Sequence, residues 1–528
     1  MNTQKKPVIL IILDGWGIAP PSKGNAITLA DTPVMDKLYE DYPNTLLNAT
    51  GKAVGLEENE TSGSEAGHMN IGAGRIVLQD STYISESINQ GNFFHNVKFR
   101  LAINHAKINK SKLHIMGLMS GNDSPHSKTD HLLALLILAK KIGVKEVYLH
   151  LFTDGRDTPP RSALKYLHLV EKNIASVGIG KIATISGRYW AMDRAKHWDR
   201  LFHAYDALAN GKGLRAENAE AAIKDAYNKG LADEFIEPTI IIKRTVDVKD
   251  RKNISEKPIA TIEDNDSVIF FNLRSDRARQ FTKFFVSDNI DHFEGRQKKL
   301  QNLFFAAMTD FGPDLNVQTA FPGHEIEKAL PWVLRDTRQL YIAESEKYAH
   351  ITYFFNGGFA NPVGGEDRIM VESPNVSSYD QKPEMSAYEI TKVITESLEN
   401  NIYDFIAVNF ANADMLGHTG NIGAAIRGIE TVDKCVGDIM KIIKEKEGVA
   451  FITADHGNAD EMIDLKNGEI LTMHSKNPVP FIIASDFKEF FKKNKLRQDG
   501  VLGDIAPTIL DIMEIEKPRE MEQKTLIG

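Results

Sequence analysis

A chain of 528 residues can hold two large domains or about three of ordinary size. Its 42% hydrophobic and 26% charged residues suit a globular fold with a large core, and 63 basic against 72 acidic residues give a formal charge of −9. With no basic tract, that balance speaks against a nucleic-acid partner or attachment to anionic lipid. The single cysteine, Cys435, excludes an intrachain disulfide and a cysteine metal cluster, and it fits a reducing compartment.

Lys5 and Lys6 precede the apolar run Val8–Leu13, which is too short for a leader. It runs into Asp14-Gly15-Trp16-Gly17 instead of a small-residue cleavage site. A buried strand is expected there. Leu113–Met119 leads into polar Ser120–Thr129, and Leu132–Ala139 falls far short of the roughly 18–20 apolar residues that cross a bilayer. A cytoplasmic protein without a membrane partner is therefore expected. Further along, Val147–Phe152 leads into Asp154-Gly155-Arg156-Asp157, Ile182–Ser186 into Gly187-Arg188, and Val268–Asn272 into Arg274–Arg277. Phe405–Phe410 leads into Ala411–His418, and Val449–Thr453 into Ala454-Asp455-His456. Short apolar runs alternating with amphipathic stretches predict an α/β fold with parallel sheets covered by helices. Lys243–Ile262 reads as polar and irregular, and no fixed-period repeat occurs.

The polar clusters follow the apolar runs, where open α/β sheets bind ligands. They also sort by chemistry. Metal-ligand types occupy the two ends of the chain, and arginines occupy the middle. That ordering predicts two α/β domains with mainly parallel sheets, one inserted into the other. Residues 1–80 and 318–528 would form a metal-binding domain and residues 81–317 a substrate-binding domain, their active groups facing each other across a cleft.

Asp414 and His418 stand four apart and share a face if their loop enters a helical turn. Asp455 and His456 follow a strand, His474 precedes the apolar run Val479–Ala484, and Asp14 adds a third carboxylate. Each segment alone would suit a helix cap or a satisfied core group. Together, three carboxylates and three imidazoles without sulfur suit manganese or zinc better than calcium, and a pair of ions would use them all. Ser64, at the expected helix start Ser64-Glu65-Ala66, is either a cap or a nucleophile activated by metal. Arg156, Arg188, Arg194, Arg274 and Arg277 follow three strands and suit a small substrate carrying carboxylate and phosphate. Asp157 is a candidate acid/base and His126 a candidate phosphate or hydroxyl ligand.

The stretches Ser64–Arg75, Asp154–Pro160, Gly187–Arg194, Arg274–Ala278, Glu346–His350, Asp414–His418 and Asp455–Asn458 together resemble cofactor-independent phosphoglycerate mutases of the alkaline phosphatase superfamily. The likeness runs in order from Asp14 to about Pro480. It implies an alkaline-phosphatase-like outer domain and interconversion of 3- and 2-phosphoglycerate in glycolysis and gluconeogenesis. It also implies two manganese ions, other divalent ions being possible, and no need for 2,3-bisphosphoglycerate. By resemblance Ser64 is the phosphorylated nucleophile. Asp14, Ser64, Asp455 and His456 match the ligands of one ion, and Asp414, His418 and His474 those of the other. His126, Arg156, Asp157, Arg188, Arg194, Arg274, Arg277 and Lys347 match the substrate-binding positions, with Lys347 also neutralising charge on the transferring group. Two positions depart from the pattern: Gly63 replaces an asparagine, and His126-Ser127-Lys128 replaces His-Ser-His. A monomer acting on a small molecule is expected. The rivals are another phosphomutase or phosphohydrolase on the same scaffold, and a non-catalytic phosphometabolite-binding protein.

Overall fold

The computed structural model describes residues 6–121, 124–246, 254–290, 293–295, 299–323, 326–485 and 495–528. They form two compact units, one of residues up to Gln79 together with those from His324 onward, the other spanning Asp80–Gly323. No helix among the described residues is long and apolar enough to cross a membrane. Lys5 of the N-terminal basic pair and residues 122–123 of the Ser120–Thr129 loop lie outside the described residues, as do residues 247–253 of the polar stretch.

In the outer unit eight strands form one sheet. Its order is Asp367–Val371, Gln339–Glu344, Phe405–Phe410, Val8–Leu13, Val449–Thr453, Val479–Ser485, Asn44–Asn48, Gly500–Val501. Only Val479–Ser485 runs against its neighbours. Val8–Leu13 is buried at all six positions because it lies mid-sheet with side chains packed on both faces. Pairing of Leu13 with Phe410 and of Ile12 with Thr453 brings three strands to their carboxyl ends at one level. Asp14, the Ala411–His418 segment and Asp455-His456 therefore leave the sheet side by side.

In the inserted unit the main path runs Gln318–Phe321, Phe304–Thr309, Ser267–Phe270, Leu113–Met119, Val147–Thr153, Lys181–Gly187, Thr239–Val246, Leu214–Ala216. The first six of these strands are mutually parallel. Alternating residues divide the core in two: Leu113, Ile115, Leu149 and Leu151 pack on one face, while Met116, Leu118, Phe152 and Phe270 pack on the other. Gln318–Phe321 closes one edge by pairing with Phe304–Thr309, so this unit continues to Gly323. Part of the Lys243–Ile262 stretch is regular after all: Ile254–Pro258 pairs antiparallel with Thr239–Val246. Its polarity fits a hairpin arm beyond the packed sheet. Leu132–Ala139 lies within the helix Thr129–Ile142, whose apolar residues cover the sheet.

Candidate active site

In the outer unit the helix Ser64–Ala73 begins at Ser64, and the capping position belongs to Gly63, which offers no side chain. Ser64 is thus not spent as a cap. Its Oγ lies 3.1 Å from Asp14 Oδ1, 3.0 Å from His456 Nε2 and 2.8 Å from Lys347 Nζ. Lys347 also reaches Asp14 Oδ1 at 2.8 Å and Asp414 Oδ2 at 2.6 Å. Two glycines permit this crowding. Gly15, at φ +77°, would drive a Cβ to 2.6 Å from Asp414 Cα, and a Cβ on Gly67 would stand 2.7 Å from Asp455 Cβ. Gly63 is also tight, since a Cβ there would meet His474 Cε1 at 3.3 Å.

Asp414 and His418 come together on the short helix Asn412–Gly417 and the turn that ends it, with His418 Nε2 3.3 Å from Asp414 Oδ1. His474 Nε2 lies at the same distance from that oxygen and 3.1 Å from His418 Nε2. A carbonyl oxygen can only accept, so Nδ1 of His418 donates to Thr472 O and Nδ1 of His474 to Ser62 O, each at 2.7 Å. Both Nε2 lone pairs and a carboxylate oxygen thus converge on one point, the donor set of a divalent cation whose ligating histidines are oriented from behind. Asp14, Asp414 and His456 form a second such group; Asp14, His68 and Asp455 also lie within ligand spacing, although both ring nitrogens of His68 already meet Ser64 O and Asn409. The fully buried Asp455 Oδ2 receives no hydrogen bond among the described residues, a further mark of a position that needs positive charge.

The electrostatics agree. Burial, reinforced by Asp455, pushes the Asp14 carboxyl up to about 7 despite Lys347. Burial alone would lower the Lys347 ammonium, but Asp14, Asp414 and Asp455 outweigh it and hold it raised. Asp414 sits well below the ordinary range because Lys347 overcomes its own burial. Three carboxylates around one ammonium leave negative charge that divalent ions would neutralise.

The inserted unit gathers the second set. Arg188 is buried as the first residue of a short helix, not in a loop, and its Nη1 donates to Asp154 Oδ1 at 2.6 Å and Asp157 Oδ2 at 2.9 Å. Ser124 Oγ donates to Asp157 Oδ2 at 2.8 Å, and the His126 backbone N–H reaches Ser124 Oγ. Burial would raise Asp157, but Arg188 and Ser124 hold it below the usual carboxylate range. His126 is pushed down to about 4, by burial first and Arg188 second, and its buried Nδ1 has no hydrogen-bond partner among the described residues. Arg156 Nε donates to Glu234 at 2.6 Å, Arg194 to Asp276 at 3.1 Å, and Arg277 to Met192 O at 3.2 Å. Burial lowers Arg277, as do Arg194, Arg188 and Arg156 around it. Arg274 lies close enough to Asp276 to help hold that carboxylate low. These cations share one neighbourhood, as an anion-binding site requires.

Sequence reasoning assigned no role to Asp154, which accepts from Arg188 and from the backbone N–H groups of Arg156 and Asp157. It also overlooked Asn458, whose Nδ2 donates to Asp414 Oδ1 at 2.8 Å, and Asp460, which accepts from Ser475 and Asn477 on the His474 segment. Asp154, Asn458 and Asp460 all lie in or beside the motifs already singled out, so their position was the available signal.

Carboxylates, imidazoles and a serine brought to one point at the ends of parallel strands are the parts of a metalloenzyme. Residues 6–517 match the metalloenzyme superfamily, which fixes that class. The chain is 48% identical to the 2,3-bisphosphoglycerate-independent phosphoglycerate mutase of Clostridioides difficile over 99% of both chains. It is 48% identical to 2,3-bisphosphoglycerate-independent phosphoglycerate mutase 2 of Methanosarcina barkeri, over 100% of this chain and 99% of that one. Among solved structures, Leishmania mexicana phosphoglycerate mutase, crystallised at low cobalt concentration, superposes with a TM-score of 0.76 at 28% identity, covering 100% of this chain and 98% of that one. The chain belongs to the 2,3-bisphosphoglycerate-independent phosphoglycerate mutase family, and its activity class is that of an isomerase.

Proposed function

We propose that the chain interconverts 3-phosphoglycerate and 2-phosphoglycerate without 2,3-bisphosphoglycerate, through a phosphoserine at Ser64, as a cytoplasmic step of glycolysis and gluconeogenesis. Asp14, Ser64, Asp455 and His456 would hold one manganese ion and Asp414, His418 and His474 a second. The ions would supply Lewis-acid stabilisation of a Ser64 alkoxide and of phosphoryl oxygens. The observation that carries this reading is the setting of Ser64 Oγ, within 3.1 Å of Lys347 Nζ, His456 Nε2 and Asp14 Oδ1 and free of capping duty.

Ser64 Oγ attacks phosphorus as the bond from phosphorus to the substrate's O3 breaks, and O3 takes up a proton. In the return step the O2 hydroxyl loses a proton and attacks the phosphoserine, which restores Ser64. Asp157, held as a carboxylate by Arg188 and Ser124, relays the proton between the two glycerate oxygens: it takes the proton of the O2 hydroxyl and delivers it to O3, and is a carboxylate before and after. Lys347 neutralises charge on the transferring group. His126, Arg156, Arg188, Arg194, Arg274 and Arg277 retain the glycerate between the two halves. Its escape would leave the phosphoserine to water and turn a mutase into a phosphatase. Gly63 and Lys128 leave the proposed ligands and nucleophile intact, so they should alter rate more than reaction. The chain should act as a monomer on this small substrate.

A coupled assay on metal-stripped protein tests the whole reading. Manganese, cobalt, zinc or magnesium is returned singly, and bisphosphoglycerate is omitted. Activity restored by manganese is expected. Hydrolysis of generic phosphate esters without mutase turnover would point to a phosphohydrolase, and tight phosphoglycerate binding without turnover to a binding protein.

A further inference from the structure

Behind the Asp14–Asp455 pair lies a buried arch of polar contacts, hydrogen-bonded from Asp14 to His68 and reaching Asp455 by close approach, that none of the roles above uses. His68 stands one turn after Ser64 on the same helix, fully buried. Its Nδ1 is 2.9 Å from Ser64 O and 3.2 Å from Asp455 Oδ2. The carbonyl can only accept, so the ring carries its proton on Nδ1 and offers a lone pair at Nε2. Asn409, at a buried position of the strand Phe405–Phe410, meets that lone pair with Nδ2 at 2.9 Å. The other Nδ2 proton goes to Asp14 Oδ2 at 2.7 Å, which fixes the amide's orientation. The hydrogen-bonded order is therefore Asp14, Asn409, His68, Ser64 O, and the protonated Nδ1 edge of His68 faces Asp455 Oδ2 at 3.2 Å as a close electrostatic neighbour. A Cβ on Gly67 would stand 2.7 Å from Asp455 Cβ, so this helix packs directly against the Asp455 backbone.

We propose that His68 and Asn409 are positioning residues that set the separation and orientation of the Asp14 and Asp455 carboxylates, and so tune metal affinity at that position selectively. This rests on the assignment of Asp14 and Asp455 to one ion made above. Neither residue touches the reacting atoms. Because His68 shares a helix turn with Ser64, the arch also locks the nucleophile's helix to the metal-binding loop.

Substitutions that keep or remove the Nδ1 donor separate this role from simple packing. Asparagine places its amide nitrogen where the histidine Nδ1 lies, whereas glutamine places it near Nε2. Calorimetric titration with Mn2+ alone, on metal-stripped protein, should show His68→Gln weakening one of two sites by about 10–100-fold and sparing the other. His68→Asn should lie nearer the wild type. Asn409→Leu, which removes both amide links from a strand position, should repeat the selective loss and decides the matter if His68→Gln does not fold. Wild-type affinities in His68→Gln and Asn409→Leu, equal weakening of both sites, or a His68→Asn loss as large as that of His68→Gln would overturn the proposal. The titration needs no substrate. Selective weakening in a chain that never turns over phosphoglycerate would sink the proposed reaction and leave the arch; full mutase activity with unmoved affinities would do the reverse.

Discussion

The two units hold charge in opposite ways. In the outer unit the carboxylates of Asp14, Asp414 and Asp455 and the ammonium of Lys347 are all buried and answer mainly to one another, so moving one disturbs the rest. In the inserted unit the cations have separate carboxylate or carbonyl partners. Arg188 is buried between two aspartates, while Arg156 and Arg194 keep side-chain exposures of 48% and 61%. The first arrangement suits charge that must be fixed before the reaction, because a preorganised low-dielectric site spends nothing on reorientation. The second suits a grip that must close on a substrate and release it. Buried mutual dependence goes with chemistry, and exposed independent partners go with binding.

That contrast sets the size of each expected mutational effect. Ser64→Ala removes the hydroxyl that sits among Asp14, His456 and Lys347, and turnover should fall by about 10⁴-fold or more, as when other enzymes lose their serine nucleophile. Acid-quenched protein should then carry no phosphoserine at this position by mass spectrometry. Turnover at the wild-type rate would remove Ser64 from the mechanism. Asp157→Asn keeps the shape but cannot accept a proton, so a loss of about 10²–10⁴ in kcat is expected with little change in KM. Cleavage of a simple phosphate ester with a good leaving group should survive it, since such a group needs no proton from Asp157. If both activities fall together, the division of labour between the units is wrong.

Arg156→Ala should act mainly through KM. A hydrogen bond to a charged group contributes about 1.5–3 kcal/mol, and the exposure of this side chain argues for the lower end, so about a 10-fold rise in KM is expected with kcat nearly unchanged. A drop in kcat as large as that of Asp157→Asn would place Arg156 among the groups fixed for the transition state, and the two units would no longer differ as described.

Much of this was visible in the chain itself, for a physical reason. Parallel strands buried on both faces leave unbroken apolar runs, and the residues that follow are delivered to one edge. Asp14, Asp414, Asp455 and His456 could thus be placed together before any register was known. The likeness of motifs to a known family supplied Lys347, which lies beyond its own strand in a helical turn that composition does not distinguish. Other features were hidden because their partners lie far off in sequence. Asn409 and His68 are single polar residues in apolar surroundings, 341 positions apart, and nothing local marks either as one end of a hydrogen bond. Asp154 reads as a turn residue until Arg188 is seen on it. The stretch Lys243–Ile262 was read as irregular because Ile254–Pro258 carries no run of alternating apolar residues, although it pairs with Thr239–Val246.

The smallest effect concerns acid, and it sharpens the comparison from the side of the inserted unit's core. His114 and His150 sit inside adjacent strands in a buried line, Asp266 Oδ2 to His114 Nε2 at 3.1 Å, His114 Nδ1 to His150 Nε2 at 2.9 Å, and His150 Nδ1 to Thr184 Oγ1 at 2.9 Å. His131 meets Ser85 Oγ with Nε2 and lies near Lys128, and burial, assisted by that lysine, takes it down to about 3. Burial lowers His114 and His150 as well, and His126 to about 4. Every one of these folded-state values lies below the ordinary 6.5. Above pH 6.5 the rings are neutral in both states and stability does not depend on them. Below it the unfolded chain binds protons that the folded unit refuses, so stability falls as pH drops toward the folded values. Each ring can contribute a slope of up to about 1.4 kcal/mol per pH unit. Hydrogen exchange in Leu113–Met119 and Val147–Thr153, corrected for intrinsic rates, should therefore report an opening free energy that declines from pH 6.5 to 4. His131→Leu should flatten that decline by one proton's worth while leaving the pH dependence of Val8–Leu13 in the outer unit unchanged. An unaltered slope would mean that His131 already takes up its proton in the folded unit, with Ser85 or water receiving it.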